Sequence, residues 1–249
     1  GKLLYRDVQL DKVSVQMKLT VMNGDDAEFS NTYKANISRY ANFQTAVNAG
    51  DLTSNSPFHK DIERLSRKTS MPLGGEGYPT KWFYERARGQ YSTKKRGLGL
   101  SGVKKFMMEY PKAQVFTKDL LNKYEVTWQM QPHIVKKGTT PARNYLMAQI
   151  KKKYEDNPSF RVEADYFQDI IAKMILFKQV DKAVLKSTWY QLETGLKAEA
   201  VTYGIPLVRK RLIEQGKDIN LASIYQNQAI SPALTSVIVE SAGVIRANI

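Results

Sequence analysis

Val13, Val15, Met17, Leu19 and Val21 alternate with Ser14, Gln16, Lys18 and Thr20. Apolar residues at every second position put one face of an extended chain against a core, so residues 13–21 predict a half-buried strand, the clearest in the sequence. After the Asn23-Gly24-Asp25 turn the period changes, and Phe29, Tyr33, Ile37 and Tyr40 or Ala41 recur at helical spacing. A loop rich in Asn, Gly, Ser and Asp covers 48–56. Ser56-Pro57 then reads as the N-cap and first position of a short helix with Phe58, Ile62 and Leu65 on one face. Residues 71–80, MPLGGEGYPT, hold too much Gly and Pro to continue it and predict a loop.

A second breaker-rich segment, 96–102, precedes a short helix ending before Pro111. Thr117 can cap a helix through Lys123 to Trp128, and Thr140-Pro141 opens another towards Tyr154. From Glu163 the helical period is strong, with Phe167, Ile170, Ile171, Met174 and Phe177 on one face. Further helices are predicted over 181–190, over 196–214 with a kink at Pro206, and over 232–249. The pattern predicts an α+β, helix-dominated fold: an N-terminal strand region followed by a mostly α-helical C-terminal part. It divides into a mixed α/β part (1–80), a central part (81–154) and a helical part (155–249).

Composition sharpens the picture at one point. The chain has 249 residues and no cysteine, which removes any disulfide framework or thiolate metal site and fits a cytoplasmic protein. The longest apolar run, 170–177, is interrupted by Lys173 and falls far short of the roughly 18 residues of a membrane span, so no membrane partner is expected. A Gly at position 1, close to a strand-like pattern, suggests a piece of something longer. The net charge is +14, and residues 81–154 hold 17 Lys+Arg against 4 Asp+Glu, or +13. Residues 126–154 contain no acidic side chain. Charge gathered in this way is the footprint of a polyanion binder; a lysine-rich solvated surface is the plainer alternative.

The centre of that region is KWFYERARGQY, residues 81–91. An extended backbone would place Trp82, Tyr84, Arg86, Arg88 and Gln90 on one face, where aromatic rings stack bases and guanidinium groups grip phosphates. A helix would instead align Lys81, Glu85 and Arg88 as an exposed ion-pair row, and a third arrangement would pair Arg86 or Arg88 with a carboxylate such as Glu85. Gly97-Leu98-Gly99-Leu100-Ser101-Gly102 matches G-x-G-x-x-G, but Ser92 to Arg96 before it is no hydrophobic strand, which excludes a dinucleotide fold. A glycine turn feeding a helix, with Lys104 and Lys105 in its first turn, could still hold one phosphate.

With His59 and His133 the only histidines, a histidine metal site or catalytic triad lacks material, and no cofactor or metal is expected. Carboxylate-only Mg²⁺ chemistry stays open as an alternative, with Glu85 and either Asp51 or Asp119 as ligands.

Several phrases in order carry a family likeness: Ile37-Ser38-Arg39-Tyr40-Ala41-Asn42-Phe43-Gln44 with Asp51; Trp82 through Tyr91; Pro111-Lys112; Thr117-Lys118-Asp119-Leu120 with Lys123-Tyr124; Trp128. Pro132 through Gly138, Ile171-Ala172-Lys173, Phe177 and Trp189 continue it. The chain resembles the abortive-infection phage-resistance (AIPR) family, over roughly 13–228. The glycine-rich stretch between Arg96 and Val103 departs from the family pattern. The resemblance implies phage defence in the bacterial cytoplasm, often beside restriction-modification systems, with nucleic acid as target and a nuclease-like domain upstream in longer members.

Together these readings give the expectation of a non-catalytic, nucleic-acid-engaging and regulatory region. Trp82, Tyr84, Arg86 and Arg88 would contact DNA or RNA, with Lys94, Lys95, Arg96, Lys104, Lys105, Lys136 and Lys137 supplying salt-sensitive attraction. The near-neutral C-terminal helices (11 Lys+Arg against 11 Asp+Glu in 155–249) leave self-association or a protein-sensing role open for that third.

Overall fold

The computed structural model describes residues 55–72, 79–192 and 197–246, all within the compact unit formed by 48–249. The strand predicted at 13–21, the helix near 29–41, residues 48–54 of the first loop and 73–78 of the second lie outside the described residues.

Helix α1 (Pro57–Lys68) forms as the sequence predicts. The Ser56 hydroxyl accepts the His59 N–H, Pro57 opens the helix, and Phe58, Ile62 and Leu65 are buried. This arrangement satisfies one of the donors that every helix start leaves without an internal partner. After the loop come β1 (Phe83–Glu85), α2 (Gln90–Arg96) and α3 (Leu100–Glu109). A 3₁₀ turn (Lys112–Gln114) then leads into β2 (Val115–Thr117). The two strands pair in parallel, Phe83 with Val115, Tyr84 with Phe116 and Glu85 with Thr117. Parallel neighbours need a crossover, and here α2 and α3 supply it.

Thr117 ends β2 and caps α4 (Lys118–Trp128), its hydroxyl accepting the Leu120 N–H. Helices α5 (Pro132–Lys136) and α6 (Thr139–Asp156) follow and pack on α4. Around them run α7 (Ala164–Lys186), α8 (Thr188–Leu192), α9 (Lys197–Glu214), α10 (Leu221–Asn227) and α11 (Pro232–Arg246). The described chain is helix-dominated, as predicted, with one small sheet.

Helix α7 is the axis, packing against α1, α4, α8, α9, α10 and α11. Every residue from Ile170 to Phe177 is buried, so this helix has no solvent face in its middle and reads as a core helix. It runs on to Lys186, past the boundary expected near 181. Val180 and Val184 extend the apolar stripe, and no Gly or Pro interrupts it. The break falls at Ser187, whose hydroxyl and N–H both turn back to the Val184 carbonyl. Pro206 lies inside α9. Helices α9 and α11 approach closely because Gly204 faces Ala242: a Cβ on Gly204 would sit 3.2 Å from the Ala242 Cβ.

Among the described helices, no single one is long and apolar enough to cross a membrane. One pair, α10 and α11, reaches that length and apolarity only together; it is bent by 120° and buries Ile224, Tyr225, Ile238 and Ala242 in the core.

Candidate nucleic-acid interface

The strand at the heart of the basic region is shorter and more buried than its sequence suggests. Only Phe83 to Glu85 are extended; the chain bends after Glu85 and turns at Gly89, whose φ of 81° belongs to the left-handed region that glycine adopts freely. Arg86, Arg88 and Gln90 therefore do not continue a common face with Trp82 and Tyr84. Trp82 (3 % exposed) and Tyr84 (0 %) point into the main core, against Phe116. Phe83 points the other way, into a second cluster with Tyr91, Tyr110, Phe106 and Val115. A ring with no exposed face cannot stack on a base, so the base-stacking role expected of Trp82 and Tyr84 is replaced by a core role.

The polar groups around this strand are mostly spent on one another. Arg86 donates from Nε to Glu63 Oε2 at 2.7 Å and from Nη1 to Asn55 Oδ1 at 2.8 Å. Its carboxylate is on α1, not at Glu85 as the pairing alternative had it. Gln90 donates to the other Glu63 oxygen at 2.9 Å. Burial pulls the Glu63 carboxyl upward, but the hydrogen bonds from Arg86 and Gln90 outweigh it and hold the group below the usual carboxylate range. Glu85 accepts the Tyr91 N–H at 2.9 Å, which ties the start of α2 back to β1. Arg67 lies over the Phe83 ring, 3.5 Å from its centroid, and donates to the Tyr84 carbonyl at 2.9 Å.

Beneath them the Tyr84 hydroxyl meets His59 Nδ1 at 2.7 Å, both side chains fully buried. Burial, then the charges of Lys118 and Arg86, push the His59 ring down to about 3. His59 is therefore a neutral core residue. Nothing in the sequence pointed to this pair, because its members are separated by the rest of α1 and the loop that follows it.

What remains at the surface is cationic. Arg88 is exposed in the turn before α2, Lys94 and Arg96 are exposed on α2, and Lys95 lies half-buried with its ammonium 5.3 Å from the Tyr91 ring centroid. Lys104 and Lys105 are exposed on α3, at its fifth and sixth positions and so beyond the first turn where the sequence pattern put them. Residues 86–108 contain no acidic side chain. The aromatic cluster around Phe83 anchors both helices from below, with ring centroids 5.1 Å from Phe83 to Tyr91 and 5.8 Å from Phe83 to Phe106. A bridge from Lys81 to Glu109, 2.8 Å long, closes the far end.

Lys136 and Lys137 are exposed as well, at the end of α5. Their helix packs on α4, α6 and α9, whereas α2 packs on β1. The predicted basic residues thus form two groups on different elements.

The alternative metal ligands do not assemble here. Glu85 is engaged as a cap, Asp119 is exposed in the first turn of α4, and Asp51 lies outside the described residues. Among the described residues no three His, Asp or Glu side chains gather into a group that could hold a metal ion.

A family model described as AIPR protein matches residues 2–249. No curated protein and no solved structure matches the chain.

Proposed function

The chain belongs to the AIPR family, whose membership implies phage defence by abortive infection, and from that premise we propose that the described region is a non-catalytic, nucleic-acid-engaging and regulatory part of such a protein, acting in the cytoplasm. One observation supports this reading above the others. Arg88, Lys94, Arg96, Lys104 and Lys105 stand exposed on two short helices and the turn before them, in a stretch without a single carboxylate. Side chains of this kind neutralise phosphates and release counterions, which favours a backbone ligand read without regard to sequence. Arg86 contributes by holding the turn through Glu63, and Arg88 is the guanidinium offered to phosphate. Lys136 and Lys137 would serve a second stretch of the same ligand.

The test is fluorescence anisotropy with labelled single- and double-stranded DNA and RNA, at two salt concentrations, with and without Mg²⁺. Affinity should fall steeply with salt. Replacing Arg88, Lys94 and Arg96 together with Ala should lower the slope on duplex DNA by about 2 to 3, at roughly 0.9 for each phosphate that is no longer neutralised. An unchanged affinity in the triple variant would sink the assignment of this face. Mg²⁺-dependent cleavage by the chain would sink its non-catalytic part.

A further inference from the structure

The connection from α2 to α3 puts apolar side chains into solvent. Leu98 is 41 % exposed and Leu100 89 %. A Cβ added to Gly99 between them would touch nothing, so no neighbour covers this turn. One added to Gly102 would lie 3.2 Å from the Leu98 Cβ, so the missing side chain lets Leu98 rest against the start of α3. Met107 and Met108 stand exposed further along that helix. Half of the exposed large apolar side chains among the described residues thus fall within 98–108. Scattered singly, such residues need no explanation, but gathered on one short stretch they do.

Their arrangement narrows the explanation. Leu100, Lys104, Met107 and Met108 fall at i, i+4, i+7 and i+8, one stripe of α3 about two turns long, with Lys105 beside it. Phe106 packs the other way, onto the aromatic cluster around Phe83. The Tyr91 ring lies 5.1 Å from that of Phe106, which seats α2 and its cations next to α3.

The stripe mixes charge with apolar surface instead of separating them. A helix lying in a membrane keeps its cations on one face and its apolar residues on the other. The core of a protein–protein interface is depleted of lysine. Single-stranded nucleic acid has the matching texture, since each nucleotide presents an anionic phosphate beside the open faces of an unstacked base. In a duplex those faces are covered by neighbouring base pairs, and the same stripe meets only phosphates and groove edges.

We propose that this stripe selects single-stranded nucleic acid over duplex, Leu100, Met107 and Met108 covering base faces while Lys104 and Lys105 hold the phosphates between them. The proposal rests on the nucleic-acid reading above and adds the strandedness of the ligand. The exposed cations draw in either form, and the apolar side chains gain only from the one whose bases are open. DNA and RNA strands share this chemistry.

Fluorescence anisotropy of the 249-residue chain with labelled oligothymidylate, oligouridylate and an oligodeoxyadenylate–oligothymidylate duplex of the same length tests it. At equal salt, at least one single strand should bind about tenfold more tightly than the duplex. Replacing Leu100 and Met107 together with Ala, both at exposed positions of α3, should weaken the single strand about tenfold and the duplex by no more than about twofold, with an unchanged melting temperature. Leu100→Trp, which offers a ring to stack on, should tighten the single strand alone. The tighter of oligothymidylate and oligouridylate tells a DNA strand from an RNA strand. Duplex bound as tightly as both single strands, or a double variant that shifts both forms equally or neither, overturns the proposal and leaves salt-sensitive phosphate binding standing. Polyglutamate or phosphatidylglycerol vesicles bound as tightly as the single strands, with the same loss in the double variant, also overturn it, in favour of an acidic protein or a membrane. Absence of binding to every nucleic acid at low salt overturns both this proposal and the reading beneath it.

Discussion

At the scale of single residues, His59 has the plainest thermodynamic signature. Its ring is buried and neutral, with its folded value near 3 against 6.5 in the unfolded chain. Between those two values the unfolded state binds the extra proton, so acid favours unfolding. Stability should be unaffected by this group above pH 6.5 and should fall by up to about 1.4 kcal/mol per pH unit below it, until the ring itself protonates. Urea midpoints measured from about pH 7 to about pH 4.5 should show this slope in the native chain and a shallower one in His59→Gln; equal slopes would show that His59 is not the titrating group. Arg86 has its own signature. Arg86→Ala strips Glu63 of its shortest bond and should cost about 1 to 3 kcal/mol in urea unfolding, a cost that Arg88→Ala does not share. A sequence shows arginines and aromatics together but not which carboxylate will meet them. Glu63 lies on another element, and that distance is why the 81–91 stretch resembled a binding face more than it is one.

At the scale of elements, what was legible is what local chemistry decides. Ser56-Pro57 and Thr117 started their helices where caps should, and the apolar period located the centre of α7. The extended backbone expected at 81–91 is found only over Phe83 to Glu85, and β2 was not legible because so short a run has no period; the two strands exist through pairing with each other. Helix α2 was missed for a related reason: a left-handed glycine and the Glu85 carboxylate set its start, and neither is a standard cap signal. Lys173 looked like a polar interruption of an apolar stripe. Its ammonium meets both oxygens of Glu125, at 2.9 and 3.0 Å, with each side chain less than a tenth exposed. Breaking such a pair from one side leaves a buried charge alone, so Lys173→Met should cost about 3 to 5 kcal/mol. Adding Glu125→Leu should return most of that stability. If the double variant is no more stable than the single one in urea, the loss is of packing rather than of an unpaired carboxylate.

At the scale of the whole described unit, the molecule has a large core around α7 and a small aromatic one beneath α2 and α3. Strand β1 and the residue before it divide them, Trp82 and Tyr84 going to one and Phe83 to the other. The small core holds few residues, so it should open without the large one. Phe106→Ala should speed amide hydrogen exchange across 90–109 while α7 stays protected; exchange rising equally in both would mean that the two cores unfold as one. The concentration of charge in the middle of the chain was visible from composition, and the fold distributes it over every helix from α2 to α6. Composition gives the size of such a charge, and only packing decides how it is divided.

The crossover joining β1 to β2 carries one further consequence, for inheritance. Its connection between α2 and α3, around Gly97 and Gly99, is exposed and lies outside the large core. Lengthening a connection is thermodynamically mild, about 0.6 kcal/mol for each doubling of a flexible loop. This is also the stretch expected, from the family resemblance in the sequence, to depart from the family pattern. A lineage confronted with changing phages can therefore lengthen, shorten or recharge this crossover while the residues around α7, which decide whether the protein folds, keep their identities.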